Sequence, residues 1–149
     1  KQVAEKLGAK LFSINELESN EISNLDFIIF ATSTWGIGDL CDDWELGISK
    51  IEGIDLSNKY VSFIGLGDQM VYGSTFCDGL RLIYDRLEKK NMVHIGKWSI
   101  DGYEFEESQS IQDGKFLGLV IDEDNESDLT QDRVDLWVKQ VKSETVTRL

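Results

Sequence analysis

Hydrophobic residues fall into two kinds of run along this chain. Short, nearly continuous apolar stretches occur at residues 26–32 (DFIIFAT), 60–66 (YVSFIGL), 92–100 and 115–121. Such a run reads as a strand covered on both faces, the usual state in a parallel sheet. Between these runs the apolar residues recur at helical spacing. Trp44, Ile48 and Ile51 mark one helix face, which Gly53 ends. Phe76, Leu80, Ile83, Tyr84 and Leu87 mark a second face, with Arg81, Asp85, Arg86 and Glu88 opposite. Val134, Trp137, Val138 and Val141 mark a third, with Asp128 or Thr130 available as its cap. Val3 and Leu7 lie one turn apart before Gly8, so the first residues read as the tail of a helix. Residues 9–14 read as a short strand, and residues 101–114 as a polar, acidic excursion.

Strands alternating with helices predict an α/β domain: a doubly wound, mostly parallel sheet with right-handed crossovers and helices on both faces. The 149 residues contain no proline and no linker, so residues 1–149 are expected to form one domain. In such sheets ligands bind beyond the carboxyl ends of the strands. That rule selects the loops at residues 34–39, 68–75 and 122–128. The first two each carry an aromatic residue outside any apolar period, Trp35 and Tyr72. Two such rings can hold a flat aromatic ligand between them, each contact contributing about 0.5–1.5 kcal/mol beyond area burial. The glycines beside them let backbone groups approach its polar edge.

Composition narrows the partners. A net charge of −13 argues against binding a phosphate backbone, so neither nucleic acid nor an anionic membrane is expected as a partner. A basic protein docking on an acidic face is the natural alternative. Cys41 and Cys77 make no disulfide framework, and a single histidine, His94, gives a zinc site or a histidine-based triad little to draw on; no metal is expected. Trp44, Trp98 and Trp137 read as packing residues. Without a secretory signal or an apolar run of membrane length, a cytoplasmic, monomeric protein is expected. The chain starts KQVAEKLG, without methionine and inside a helical pattern, as a fragment or processed form would.

ATSTWGIGD, FIGLGDQMVYGSTFCD, DGYEFEES, DGKFLGLVIDEDN and RVDLWVKQV, in that order and spacing, resemble a long-chain flavodoxin through essentially the whole chain. The resemblance implies a five-stranded parallel sheet and an FMN-binding electron carrier, not an enzyme. It implies that Trp35 stacks on the inner face of the isoalloxazine ring and Tyr72 on the outer face. Thr34 and Gly38 would belong to the same loop, whose Gly36–Ile37 peptide reorients on reduction. Backbone at Leu66, Gly67, Asp68, Thr75, Phe76 and Cys77 would meet the pyrimidine edge, and Asp124 would lie near the ribityl chain. Residues 101–114 would be the insertion into the last strand that marks long-chain members. The implied partners are a ferredoxin–NADP reductase-like flavoenzyme and photosystem I. The family's first strand, central in its sheet, and the phosphate-cradling loop after it are absent from the sequence. The expectation is that they exist in the molecule; the alternative is a flavodoxin-fold scaffold or fragment that no longer binds FMN tightly.

Charge then suggests a mechanism. Asp39, Asp42, Asp43, Glu45, Asp68, Asp122, Glu123, Asp124 and Glu126 cluster after strand ends. At a distance of about 8 Å and an effective dielectric of about 20, each would oppose an anionic reduced flavin by about 2 kcal/mol. The expected carrier shuttles between semiquinone and hydroquinone at low potential. A receiver-type signalling domain would need an aspartate at the end of the 26–32 strand. Thr32, Ser33 and Thr34 stand there instead.

Overall fold

The computed structural model describes residues 1–146. In chain order its elements are α1 (Gln2–Leu7), α2 (Ser19–Ser23), β1 (Phe27–Trp35), β2 (Asp39–Leu40), α3 (Asp42–Glu52), β3 (Tyr60–Leu66), α4 (Gly79–Leu87), β4 (Val93–His94), β5 (Trp98–Ser99), β6 (Ile111–Gln112), β7 (Lys115–Phe116), β8 (Leu119–Ile121) and α5 (Glu123–Val146).

β3 organises the sheet. Its seven residues pair in parallel with β1 from Phe27↔Tyr60 to Ser33↔Leu66. With one edge filled, its other edge takes β4 at Tyr60 and Val61 and β8 at Ile64, Gly65 and Leu66. The last strand position is therefore shared by two segments, and the chain between them makes the insertion. Two expectations change accordingly. The runs at 92–100 and 115–121 are not single strands: each gives a short piece to the main sheet and another to a separate antiparallel sheet of order β5-β7-β6. The break on the return side falls at Gly118. At Gly118 a Cβ would lie 1.9 Å from the Phe63 carbonyl oxygen, so the chain passes β3 too closely for any side chain.

The core lies on both sides of this sheet. On one face Ile28, Phe30, Val61 and Phe63 pack with Trp44 and Ile51 of α3 and with Leu80, Ile83 and Leu87 of α4. On the other, Leu119 and Ile121 pack with Val134, Trp137, Val138 and Val141 of α5 and with Val3 of α1. Buried indoles also hydrogen-bond: Trp44 Nε1 donates to Ala31 O at 2.7 Å, and Trp137 Nε1 to Gly96 O at 2.8 Å. The third tryptophan, Trp98, packs at the edge of the core and donates to Tyr103 Oη.

Three further expectations are corrected. β1 is not buried on both faces: Ile28, Phe30 and Thr32 are buried, but Phe27 and Ile29 are half-buried and Ala31 is exposed, because α5 lies chiefly against β8. Residues 9–14 form no strand, having no neighbour to ladder with; Leu11 is exposed and Ile14 packs beside Gly47 of α3. The last helix starts earlier than Asp128 or Thr130. Asp122 Oδ1 accepts the Asn125 N–H and begins it, and the helix breaks at Glu126 (φ −135°, ψ 39°) before the amphipathic part.

Candidate functional site

Three segments meet at the carboxyl ends of β1, β3 and β8. The first is a hairpin. β1 runs on through Trp35, and the pairs Thr34↔Leu40 and Trp35↔Asp39 join it to β2, leaving Gly36, Ile37 and Gly38 as the turn. Half of the loop expected at residues 34–39 is thus ladder: Thr34, Trp35 and Asp39 pair, and only Gly36, Ile37 and Gly38 turn. Gly36 and Gly38 have φ of 51° and 87°, the left-handed region that glycine enters at little cost. This turn leaves Trp35 50% exposed and Ile37 83% exposed.

The second segment runs from Leu66 to the start of α4. Thr34 Oγ1 accepts the Gly79 N–H at 3.0 Å, tying the hairpin to the first residue of α4. A Cβ on Gly38 would stand 3.2 Å from Asp78 Oδ2 and 3.5 Å from Thr75 Cβ. A Cβ on Gly67 would meet Cys77 Sγ at 2.8 Å. Thr34, Gly38, Gly67, Thr75 and Cys77 are thus brought to one place. Tyr72 stands beyond them, 44% exposed, beside the exposed Met70 and Val71.

Backbone donors at this edge divide into used and free. The Gly67 N–H donates to Ile121 O, that of Thr75 to Tyr72 O, and that of Phe76 to Glu107 O. The Asp68 and Cys77 N–H groups meet no acceptor among the described residues. Cys77 also holds a left-handed conformation, φ 56°, a strained state that persists only where its surroundings impose it. Burial, with Asp122 adding to it, pushes the Cys77 thiol well above its ordinary pKa, so its sulfur packs as a neutral group.

Phe76 is tied to the insertion. Its ring is buried, stacked on Phe105 at 5.4 Å and edge-on to Phe116 at 6.0 Å, and its carbonyl accepts Ser108 Oγ. Its N–H and its carbonyl each bond to the insertion, which braces the site from beneath. Leu66 likewise has its backbone in the ladder, between Ser33 and Ile121, and contributes an exposed side chain.

The third segment is the turn into α5. Asp124 is exposed, and no hydrogen bond or ion pair joins its side chain to the other two segments among the described residues. Its neighbour does: Asn125 Nδ2 donates to Asp68 Oδ1 at 2.8 Å. The acidic rim is also smaller than expected. Asp122 is fully buried, and Glu126 pairs with Arg133 at 2.6 Å. Asp39, Asp42, Asp43, Glu45, Glu123 and Asp124 remain exposed. The Val71 N–H and the Asn125 amide, with the Met70 N–H, hold the Asp68 carboxyl below its ordinary pKa.

Sequence reading missed Gln69, Asp122 and Asn125 as structural members of this site, along with Gln109 and Ser110 of the insertion. The Gln109 N–H donates to Asp78 Oδ1 at 2.8 Å, and Ser110 Oγ to Cys77 O at 2.6 Å. No period marks such residues; the only signal was an uncommonly polar stretch after each strand end. Among the described residues no group of three or more His, Cys, Asp or Glu could hold a metal, and no helix is long and apolar enough to cross a membrane.

The carboxyl ends of β1 and β3 thus carry two exposed rings, Trp35 and Tyr72, and two N–H donors without an acceptor among the described residues, those of Asp68 and Cys77. Comparison with known proteins agrees with that chemistry. The flavodoxin family model matches residues 1–137. A flavodoxin of a Nostoc species is 38% identical over 134 residues, covering 90% of this chain and 79% of that protein. A Helicobacter pylori flavodoxin is 38% identical over 145 residues, covering 94% and 87%. The crystal structure of Fusobacterium nucleatum flavodoxin bound to flavin mononucleotide superimposes with a TM-score of 0.88 at 36% identity, covering 96% of this chain and 87% of that one. With the family model spanning most of its length and relatives alike in sequence and structure, the chain belongs to the flavodoxin family.

Proposed function

We propose that this protein is an FMN-dependent one-electron carrier, not an enzyme, and that it works at low potential. The observation that carries this reading is the presence, on the loops after β1 and β3, of two exposed rings, Trp35 and Tyr72, and of the free N–H groups of Asp68 and Cys77. Bound FMN supplies the electron chemistry. The chain's residues do the rest. Trp35 and Tyr72 stack on the two faces of the ring and exclude water from it. The Asp68 and Cys77 N–H groups donate to acceptors on its polar edge. The Gly36–Ile37 peptide sits where positive φ is already in place, so it can present either its N–H or its carbonyl without a side-chain clash. The exposed carboxylates of the hairpin and of the α5 turn disfavour added negative charge, which lowers the potential of the last electron.

The same carboxylates suit a basic redox partner that docks transiently. Flavoenzymes of the ferredoxin–NADP reductase type, or photosystem I, are the partners proposed. Two free cysteines fit the reducing cytoplasm expected from the sequence.

The test is titration of the purified chain with FMN. We expect a yellow complex with quenched flavin fluorescence, and two separate one-electron midpoints in a spectroelectrochemical titration. Trp35→Ala and Tyr72→Ala should each weaken FMN binding about tenfold, the worth of one ring contact. A colourless protein indifferent to FMN would overturn the proposal in favour of a scaffold.

A further inference from the structure

We propose that Asn125 is a positioning residue for the outer wall of the cofactor site: its carboxamide latches the turn that carries Tyr72 onto Asp122 at the end of β8. The inference rests on the flavin-binding reading given above and adds a residue to it.

Two carboxylates face each other across this junction. Asp68 Oδ1 accepts the N–H groups of Met70 at 3.0 Å and Val71 at 2.9 Å, which closes the turn, and Asp68 O accepts the Tyr72 N–H at 3.0 Å. Asp122, fully buried, accepts the Gln69 N–H through Oδ2 at 3.1 Å. Neither carboxylate has an ion pair with Lys or Arg among the described residues. What stands between them is one neutral amide. Asn125 Nδ2 reaches Asp68 Oδ1 at 2.8 Å and Asp122 Oδ1 and Oδ2 at 3.0 and 2.9 Å, while the Asn125 N–H donates to Asp122 Oδ1 at 3.1 Å.

The amide is itself fixed. The helix breaks at the next residue, Glu126, whose carboxylate Arg133 holds at 2.6 Å; Arg133 lies over the Tyr103 ring at 4.0 Å. From the insertion side, the Glu104 N–H donates to Gln69 Oε1. Tyr72 is thus placed by a turn held to the end of β8 in two ways, directly by the Gln69 N–H on Asp122 and through the Asn125 amide shared with Asp68. Removing the donor takes away the amide that the two carboxylates share and leaves their repulsion opposed by the Gln69 N–H alone, which loosens the turn, and Tyr72 with it, from the sheet.

Asn125→Ala removes the donor at every pH. Asn125→Asp removes it only while the new carboxyl is ionised. The charged groups around that position are Asp68 on the loop after β3, Asp122 at the end of β8, Glu123, Asp124 and the Arg133-paired Glu126 on α5, and Glu104 of the insertion. So many like charges raise the pKa of a new carboxyl, and once protonated it can donate again. FMN affinity of the wild type and both variants is measured at pH 8 and pH 5.5. Amide hydrogen exchange of Gln69, Val61 and Phe63 is followed in the FMN-free proteins at the same pH values.

At pH 8 both variants should bind FMN about tenfold more weakly than the wild type. They should also exchange the Gln69 amide about tenfold faster, with Val61 and Phe63 unchanged. At pH 5.5 Asn125→Asp should return toward wild-type values and Asn125→Ala should not. Unchanged Gln69 exchange in both variants, or changed exchange with unchanged FMN affinity, overturns the proposal. Equal loss in Asn125→Asp at both pH values also overturns it. Wild-type protein that ignores FMN overturns the flavin reading itself, while Gln69 exchange still judges the latch.

Discussion

At the scale of single residues, the close contacts are the most exacting. Gly118 lies against the Phe63 carbonyl with no room for a methyl group, and backbone cannot yield as a side chain can. Gly118→Ala should destabilise the fold by about 3 kcal/mol, read as a lowered urea midpoint. His94 offers a cleaner probe, being the chain's one histidine. Its Nε2–H donates to Leu117 O at 2.7 Å, and its ring lies 5.3 Å from those of both Phe63 and Tyr84. Burial holds its pKa below the ordinary 6.5. The unfolded chain therefore binds a proton that the folded one refuses. The stability His94 contributes is whole above pH 6.5 and falls as pH drops through the folded value. Unfolding free energy should decline from pH 7.5 to 5.5, and His94→Gln should remove most of that slope. Asp78 works the other way: burial raises its carboxyl, so its contribution to stability grows as pH falls.

At the scale of elements, the insertion acts as a strap over the segment before α4. Arg81 ties α4 to it, donating from Nε to Gln109 O at 2.8 Å and from Nη2 to Ile111 O at 3.3 Å. Arg133 ties it to α5, with Nη2 to Gly102 O at 3.3 Å and its guanidinium over Tyr103. Arg133 is nearly buried and Glu126 mostly so, which puts their pair among those that matter. Arg133→Met should leave the Glu126 charge stranded and cost about 3 kcal/mol in chemical denaturation. These ties also show what the sequence could and could not reveal. β1 and β3 were legible as nearly continuous apolar runs, and α3 and α4 because their apolar residues recur at helical spacing. The division of residues 92–100 and 115–121 was not, because period says which face is buried and nothing about which neighbour a strand pairs with. Residues 9–14 have a strand's pattern without a strand's partner. At the site, Trp35 and Tyr72 stood out as aromatics off any period. Asn125, in a run of acidic residues, carries no such signal, and only the fold brings it to Asp68.

At the scale of the whole molecule, charge and topology dominate. A net charge of −13, with exposed carboxylates around the hairpin, should speed encounter with a basic redox protein. Raising ionic strength from about 0.01 to 0.5 M should lower the association rate constant at least about tenfold, measured by stopped flow. Topology has a quieter effect. β4 and β8 lie end to end along one edge of β3, so the insertion leaves the sheet and comes back to it at the same edge. Doubling the length of such a detour costs only about 0.6 kcal/mol in loop closure. The split edge is accordingly the point in this molecule most open to exchange. A foreign peptide, or a tether to an electrode or a second redox domain, should be accepted in the exposed turn at Asp113 and Gly114 while the strands that carry the cofactor loops keep their register.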